Sequence, residues 1–168
     1  EIIVVEWGAL GPGVQWGPSQ SHAAERVPGE AQTLVVPGFV ATDTRGLQTT
    51  LGRNGSDFSA SILAALLDAA GIVIWTDVDG VLSADPRLVP DAKVIDALSY
   101  DEAMELAYFG AKVIHPQTMA PAIAKDIPIR IRNTFSPQAP GTMIVAKPAS
   151  RHVVKGITSI DDVALVNV

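Results

Sequence analysis

The 168-residue chain contains no cysteine, which excludes a disulfide framework, a thiolate metal site and a thiol nucleophile. The lack of thiols fits a reducing, cytoplasm-like compartment, and it fits other compartments as well. Charged residues make up only 18% of the chain, with 12 Lys and Arg against 18 Asp and Glu. Because no basic run offsets this acidic balance, we expect no nucleic-acid partner. The longest apolar stretch, 60–75, contains Asp68 and is too short to span a bilayer, so we expect no membrane association.

The ends of the chain lie within apolar runs, Ile2–Val5 and Val163–Val168, and the sequence has no initiator methionine. We therefore interpret the chain as a piece of a longer protein. A stretch with proline, lysine and serine near residue 147 is typical of a linker. We predict one domain at 1–146 and, at 147–168, this linker with the beginning of a second domain.

The hydrophobic pattern predicts strands that alternate with helices, which is typical of an α/β fold with a mostly parallel sheet. The apolar run 72–76 is continuous and indicates a strand buried on both faces. Segment 8–32 shows no period and is predicted to be a long loop. Helices are predicted at 56–70, 99–110 and 116–124; strands at 2–5, 33–40, 72–76, 127–132, 142–145, 153–158 and 163–168; and a polar hairpin at 42–46 that leads into 49–51.

A glycine-containing turn, LGRNGSD at 51–57, lies between a predicted strand and a predicted helix. Its glycines allow a tight turn, and the following helix N-terminus attracts an anion. Arg53 adds a forked donor that matches a carboxylate. The alternative is that Ser56 or Asp57 only caps the helix. A Walker loop is excluded, because no Gly-Lys-Ser/Thr follows the glycines.

Two further segments carry groups suited to a nucleotide. WTDVDGVLSADPR at 75–87 follows the strand at 72–76, and ligands bind at such strand ends in α/β sheets. Its three carboxylates and Arg87 could hold a nucleotide with Mg²⁺, or the acids could satisfy their own backbone. Lys112 is either a surface lysine or a phosphate ligand, and His115 is interpreted as a packed or capping side chain. Without cysteine or paired histidines, we expect no zinc site.

Three motifs in sequence order, TLGRNGSDFSA, IWTDVDGVLSADPR and YFGAKVIHPQT, resemble the aspartate kinase branch of the amino acid kinase family. IRNTFSPQAPGTMI is also similar to that family, and VKGITSIDDVALVNV resembles the start of its ACT regulatory domains. The similarity covers about 33–168 and is greatest to the kinase portion of bifunctional aspartokinase–homoserine dehydrogenases. It implies a three-layer α/β/α amino acid kinase fold, with the nucleotide-binding lobe at 1–146 and the first ACT-like strands at 147–168.

The resemblance implies phosphorylation of the L-aspartate β-carboxylate by ATP with Mg²⁺, giving 4-phospho-L-aspartate, the first step toward lysine, threonine and methionine. It implies that Asp57 and Lys112 are catalytic and that Arg53 and Ser56 bind the substrate. It also implies a set of nucleotide-binding residues: Thr76, Asp77, Asp85, Arg87 and Lys112. No metal ligand is expected, because Mg²⁺ would be bound mainly through the nucleotide.

The resemblance further implies a homo-oligomer in the full-length protein, allosteric control and a cytoplasmic location, or a plastid in a plant. It leaves open a fusion to homoserine dehydrogenase. The family's amino-terminal lysine and glycine motif is not in this chain, so we expect the isolated chain to be inactive. Two alternatives stay open: a family member with a different acceptor, such as glutamate, acetylglutamate, carbamate or UMP, and a non-catalytic nucleotide-binding or dimerisation module.

Overall fold

The computed structural model describes residues 2–9, 11–29, 33–108, 115–149 and 153–159. The chain divides into two compact units: unit 1 is Glu1–Ile72 with Gln117–Ile127, and unit 2 is Val73–Pro116 with Pro128–Val168. In chain order the elements are β1 (Val4–Gly8), β2 (Gly11–Val14), α1 (Trp16–Arg26), β3 (Val40–Asp43), β4 (Gln48–Thr50), α2 (Gly55–Leu66), β5 (Ile72–Thr76), β6 (Ala97–Ser99), α3 (Tyr100–Tyr108), α4 (Pro116–Ala124), β7 (Ile129–Asn133) and β8 (Thr142–Val145).

Unit 1 is built on a four-stranded sheet in the order β2-β1-β3-β4. Strand β1 pairs antiparallel with β2 and parallel with β3, and β3 pairs antiparallel with β4. The apolar face of α2 packs against this sheet, because its large side chains recur every three or four residues. The resulting core consists of Ile3, Val5, Ala41, Leu51, Ile62 and Leu66.

Unit 2 is built on a second four-stranded sheet in the order β5-β7-β8-β6. Strand β8 pairs antiparallel with β7 and parallel with β6. Inward-facing residues alternate along β7, where Ile129 and Ile131 are buried. Ile144 on β8 and Leu98 on β6 are fully buried. Helix α3 contributes Tyr100 to this core. Among the described residues, no helix has both the length and the apolarity needed to cross a bilayer.

Several predicted elements are confirmed. Helix α4 and strands β5 and β8 have the predicted bounds. The hairpin predicted at 42–46 is also present, as the turn between the paired strands β3 and β4. Asp43 closes that hairpin by accepting the N–H groups of Arg45 at 2.9 Å and Leu47 at 2.8 Å. Helix α2 ends at Leu66 instead of residue 70, because Asp68 adopts a left-handed φ of 46°.

The α/β class is confirmed, but the sheet predicted as mostly parallel is two sheets of mixed pairing in the described residues. The short connection between β3 and β4 can only join antiparallel neighbours, whereas parallel pairing needs a long crossover. Burial of β5 on both faces is also contradicted. Val73 and Trp75, which lie on the same face of β5, are half exposed, so this face of the strand is only partly covered.

The predicted long loop at 8–32 is wrong, because its described residues include β2 and α1. Helix α1 buries only small residues, Ser19 and Ala23, so no apolar stripe marks it in the sequence. The Ser19 hydroxyl accepts the Val4 N–H at 2.9 Å and anchors the helix to β1.

The strand predicted at 33–40 is also wrong. Residues 33–39 form no strand; Pro37 cannot donate to a ladder, and Phe39 has a positive φ of 75°. Residues 153–158 likewise form no strand; the Ile157 N–H donates to the carbonyl of Ser83 without a ladder being formed. The run predicted at 163–168 lies outside the described residues.

The predicted capping box of α3 is present. The Ser99 hydroxyl accepts the Glu102 N–H at 3.1 Å, and the Glu102 carboxylate accepts the Ser99 N–H at 2.7 Å. Ser99→Ala should lower the free energy of unfolding by about 1 kcal/mol, because one N–H at the helix start loses its partner. Urea denaturation would measure the loss. Ser136→Ala, at an exposed serine of the same unit, is the control, and equal losses for both variants would contradict a capping role.

Candidate functional site

Unit 1 positions the glycine-containing turn at the start of α2. Gly52 and Asn54 have positive φ values of 74° and 54°, and the Gly55 N–H donates to the Gly52 carbonyl at 3.1 Å. Helix α2 starts at Gly55, so Ser56 and Asp57 lie within its first turn. The capping alternative therefore fails: the N-cap position belongs to Asn54, whose side chain makes no capping bond.

Close packing under this turn explains why glycine stands at position 55. A Cβ there would lie 2.7 Å from Phe39 Cδ2 and 3.1 Å from Leu51 Cβ. Phe39 is itself fixed, because its N–H donates to Ser59 Oγ at 2.8 Å and its carbonyl accepts the Leu51 N–H at 2.8 Å. The start of α2 is therefore held firmly on β3, which fixes the position of the backbone at residues 53–57.

Arg53 lines a cavity of about 300 Å³. This volume is at the lower end of the range for small-molecule sites. The Arg53 side chain is exposed and makes no hydrogen bond or ion pair within the described part of the chain. Its guanidinium is therefore available to a carboxylate. The other lining residues, all in unit 1, are Gly11, Pro12, Gly13, Leu51, Phe58, Gln117, Thr118 and Ala120.

Asp57 is a partly buried carboxylate for which no described side chain provides a partner. Burial raises the pKa of Asp57 above its ordinary value of 3.8. Desolvation without a compensating cation or donor is a cost to the fold, and such groups are concentrated at functional sites. Asp57 is therefore a candidate for chemistry on structural grounds as well.

Unit 2 positions the second motif at the carboxyl end of β5. Thr76 Oγ1 donates to Asp77 Oδ1 at 3.1 Å, and the Thr76 carbonyl accepts the Thr134 N–H at 2.8 Å. Two residues after Asp77, Asp79 Oδ1 accepts a hydrogen bond from Asn133 Nδ2 at 2.7 Å. These bonds tie the loop after β5 to the end of β7 and orient its carboxylates.

Asp85 and Arg87 are brought together later in the same motif. Arg87 Nη2 lies 2.5 Å from Asp85 Oδ2, and the Arg87 backbone N–H donates to Asp85 Oδ1 at 2.8 Å. The hydrogen bond to Asp85 raises the pKa of Arg87 above its ordinary value. The alternative that these acids serve their own backbone thus holds at Asp85. The Arg87 side chain is 83% exposed, so the pair contributes little to stability and stays accessible to a ligand.

Sequence reasoning missed Arg132 and Asn133 at the end of β7. The Arg132 guanidinium lies over the ring of Trp75, 4.9 Å from its centroid, and its Nη2 also donates to the carbonyls of Pro137 and Ala139. Both residues lie at a strand end, and this position is visible in the sequence. Linking them to the loop after β5 also requires knowing that β7 is the neighbour of β5 in the sheet.

The structure thus distributes the predicted site residues between the two units. Arg53, Ser56 and Asp57 lie in unit 1. Unit 2 contains the predicted nucleotide ligands Thr76, Asp77, Asp85 and Arg87. Lys112 lies outside the described residues. Within the described ranges, no group of three or more His, Asp or Glu side chains could hold a metal ion.

A sequence model of the amino acid kinase family matches residues 13–133 of this chain. The chain belongs to the amino acid kinase family. This amino acid kinase chain is 53% identical to the bifunctional aspartokinase/homoserine dehydrogenase of Haemophilus influenzae over 138 residues, 82% of this chain and 17% of that protein. It is 50% identical to the chloroplastic bifunctional aspartokinase/homoserine dehydrogenase 1 of Zea mays over 143 residues, 82% of this chain and 16% of that protein.

The fold of this amino acid kinase chain matches solved aspartate kinases. Escherichia coli aspartokinase III in complex with aspartate and ADP superposes with a TM-score of 0.79 at 38% identity, over 88% of this chain and 33% of that one. Clostridium acetobutylicum aspartate kinase gives a TM-score of 0.79 at 37% identity, over 86% of this chain and 34% of that one. The predicted amino acid kinase fold is confirmed, and the chain spans only a minor part of each relative.

Proposed function

We propose that the protein containing this chain is an aspartate kinase, which transfers the γ-phosphoryl group of ATP to the β-carboxylate of L-aspartate and forms 4-phospho-L-aspartate. The match to aspartokinase III in complex with aspartate and ADP carries this proposal. The 53% identity to a bifunctional aspartokinase/homoserine dehydrogenase supports it. The acceptor alternatives lack comparable support, because the similarity extends through several motifs in order.

We assign acceptor binding to the glycine-containing turn at 51–57, where α2 begins. Arg53 would form a two-point contact with a carboxylate of aspartate, since its guanidinium has no partner among the described residues. Ser56 lies in the same turn with an exposed side chain and would donate its hydroxyl to that ligand. Asp57, one residue further on, would organise the reacting centre, and Lys112 is the second residue to which we assign a catalytic role.

We assign nucleotide binding to the loop after β5. Thr76 is the last residue of that strand and Asp77 follows it, while Asp85 and Arg87 form the exposed pair further along. Phosphoryl transfer depends on positioning and on neutralising charge, so Arg87 and Lys112 are suitable groups for the phosphates. Mg²⁺ would enter with the nucleotide, because this ion needs only one or two carboxylates besides phosphate and water.

The wider properties of the protein follow the same relatives. Fusion to homoserine dehydrogenase is supported by the bifunctional relatives, and a plastid location by those named chloroplastic, with the cytoplasm as the other location. We also propose a homo-oligomer, allosteric control and a role in lysine, threonine and methionine biosynthesis. We expect this chain alone to be inactive.

The proposal is tested on the intact protein with MgATP and a series of acceptors: L-aspartate, L-glutamate, acetylglutamate, carbamate and UMP. We expect turnover with aspartate, detected by trapping the acyl phosphate with hydroxylamine. Turnover with another acceptor, or nucleotide binding without turnover, would overturn the assignment. The second result would favour the non-catalytic module.

Arg53→Met should raise the KM for aspartate by at least about tenfold, because a charge-assisted contact to the carboxylate is lost. The KM for MgATP should stay unchanged. Arg45→Met is the matched control, since Arg45 is an exposed arginine of the same unit that pairs with the hairpin residue Asp43. If both variants behave alike, Arg53 does not bind the acceptor.

A further inference from the structure

The segment 153–159, called here the strap, contains no helix or strand yet is fastened to the rest of unit 2. Lys155 Nζ donates to Glu102 Oε2 on α3 at 2.6 Å. Two residues later, the Ile157 N–H donates to the Ser83 carbonyl at 2.8 Å. The strap therefore joins two places that are far apart in the sequence: the start of α3 and the motif that follows β5.

The ion pair of Lys155 is unusual for a segment at the surface of a protein, because the lysine side chain is only 9% exposed. An ammonium group removed from water needs a close partner, and Glu102 supplies it. The same Glu102 oxygen accepts the Ser99 N–H of the capping box. Burial acts to raise the pKa of Glu102, but the bonds from Lys155 and Ser99 outweigh it and lower the pKa below its ordinary value.

Gly156 lets the strap lie directly on its neighbours. A Cβ at this position would lie 3.3 Å from Ile95 Cδ1, 3.4 Å from the Ser83 carbonyl oxygen and 3.5 Å from Leu106 Cδ2. The first distance is slightly tight and the other two are ordinary van der Waals contacts, so the backbone of the strap packs against these neighbours. The strap is thus held by packing at Gly156 and by the hydrogen bonds of Lys155 and Ile157 on either side of it.

Ser83 closes the neck of a loop at 84–92. Its N–H donates to the Lys93 carbonyl at 2.8 Å, and its hydroxyl accepts the Lys93 N–H at 3.0 Å. The strap adds a third bond at this neck, through the Ser83 carbonyl. The Asp85–Arg87 pair lies just inside the loop, so the neck determines where that pair is presented.

We propose that the strap is a positioning element for the 84–92 loop, and that Lys155 and Glu102 are positioning residues on which nucleotide affinity depends. The proposal rests on the proposed function, which assigns Asp85 and Arg87 to the nucleotide. Backbone hydrogen bonds within the loop, from the Leu88 and Val89 N–H groups to the Asp85 carbonyl, hold its internal shape. Fastening at its neck therefore governs how the loop as a whole, and Arg87 with it, is presented to a phosphate.

The test is Lys155→Met in the intact protein. We expect the KM for MgATP to rise about tenfold while the KM for aspartate stays unchanged, and Lys155→Arg to restore the wild-type value. Lys147→Met is the control, because Lys147 is an exposed lysine that precedes the strap. Glu102→Gln is a second variant: it keeps a capping-box side chain but removes the charge that Lys155 needs.

Hydrogen exchange gives a readout independent of turnover. Amides at 84–92 should exchange faster in Lys155→Met and Glu102→Gln, while those of β7 and β8 should not change. Unchanged exchange at 84–92, or equal rises in both KM values, would overturn the positioning role. If the wild-type protein neither binds MgADP nor turns over, the proposed function fails, and the exchange result alone decides whether the strap fixes the loop.

Discussion

Gly141→Ala is expected to lower the free energy of unfolding by about 4 kcal/mol, at the upper end of single-residue effects. Gly141 precedes β8 and has a positive φ of 70°. A Cβ on this residue would lie only 1.9 Å from the Ile131 carbonyl oxygen on β7. Because that atom is backbone within a paired strand, it cannot move aside without breaking the ladder between β7 and β8.

Gly46→Ala separates backbone strain from this clash. Gly46 has a similar positive φ of 81° but no heavy atom within 4 Å of its would-be Cβ. Its substitution should therefore cost about 1 kcal/mol, the ordinary penalty for a left-handed residue with a side chain. Urea denaturation followed by circular dichroism would measure both variants. A similar loss in both would show that the strands relax around the new methyl group.

The Gly141→Ala substitution should also affect the loop after β5, to which nucleotide binding is assigned. The neighbouring Thr142 Oγ1 accepts the Val81 N–H at 2.8 Å, and a Cβ on Gly80 would lie 2.5 Å from the same hydroxyl oxygen. A shift of β8 would therefore displace the loop after β5. The close approach at Gly80 explains why the WTDVDG motif ends in glycine.

Elements encoded by neighbouring residues could be predicted from the sequence. The α3 capping box needs only Ser99 and Glu102, three positions apart, and Pro116 marks the start of α4. The turn at 51–57 was also recognisable, because its glycines and the apolar period of the next helix lie within one short segment. Such signals act through local backbone geometry, which a sequence pattern records.

Elements that depend on distant partners could not be predicted. Helix α1 is attached to β1 by the hydrogen bond from the Val4 N–H to the Ser19 hydroxyl. No local sequence pattern predicts that bond. The positive φ of Phe39 is incompatible with a strand at 33–39, although the apolar residues in that segment favour one. At the candidate site, the bond between Asp79 and Asn133 spans 54 positions. Only the neighbouring positions of β5 and β7 bring these two side chains together.

Asp57→Asn is expected to reduce aspartate phosphorylation by about 100-fold or more, the scale on which an essential acid–base or electrostatic group contributes. The exposed Asp101 occupies the first turn of α3 as Asp57 occupies that of α2, so Asp101→Asn is the matched control. Full activity in Asp57→Asn, or equal losses in the two variants, would remove Asp57 from the proposed mechanism.

The same variant should be more stable than wild type near neutral pH, because burial penalises the Asp57 carboxylate in the folded state. With its folded pKa raised above 3.8, this carboxylate destabilises the fold when ionised. The penalty disappears as the pH falls through the folded pKa to the ordinary value. The difference in Tm between Asp57→Asn and wild type should therefore be positive at neutral pH and close to zero below 3.8, whereas Asp101→Asn should show no such gain. A lower Tm for Asp57→Asn at neutral pH would mean that the fold stabilises this carboxylate, and the argument that Asp57 is retained for chemistry at a cost in stability would fail.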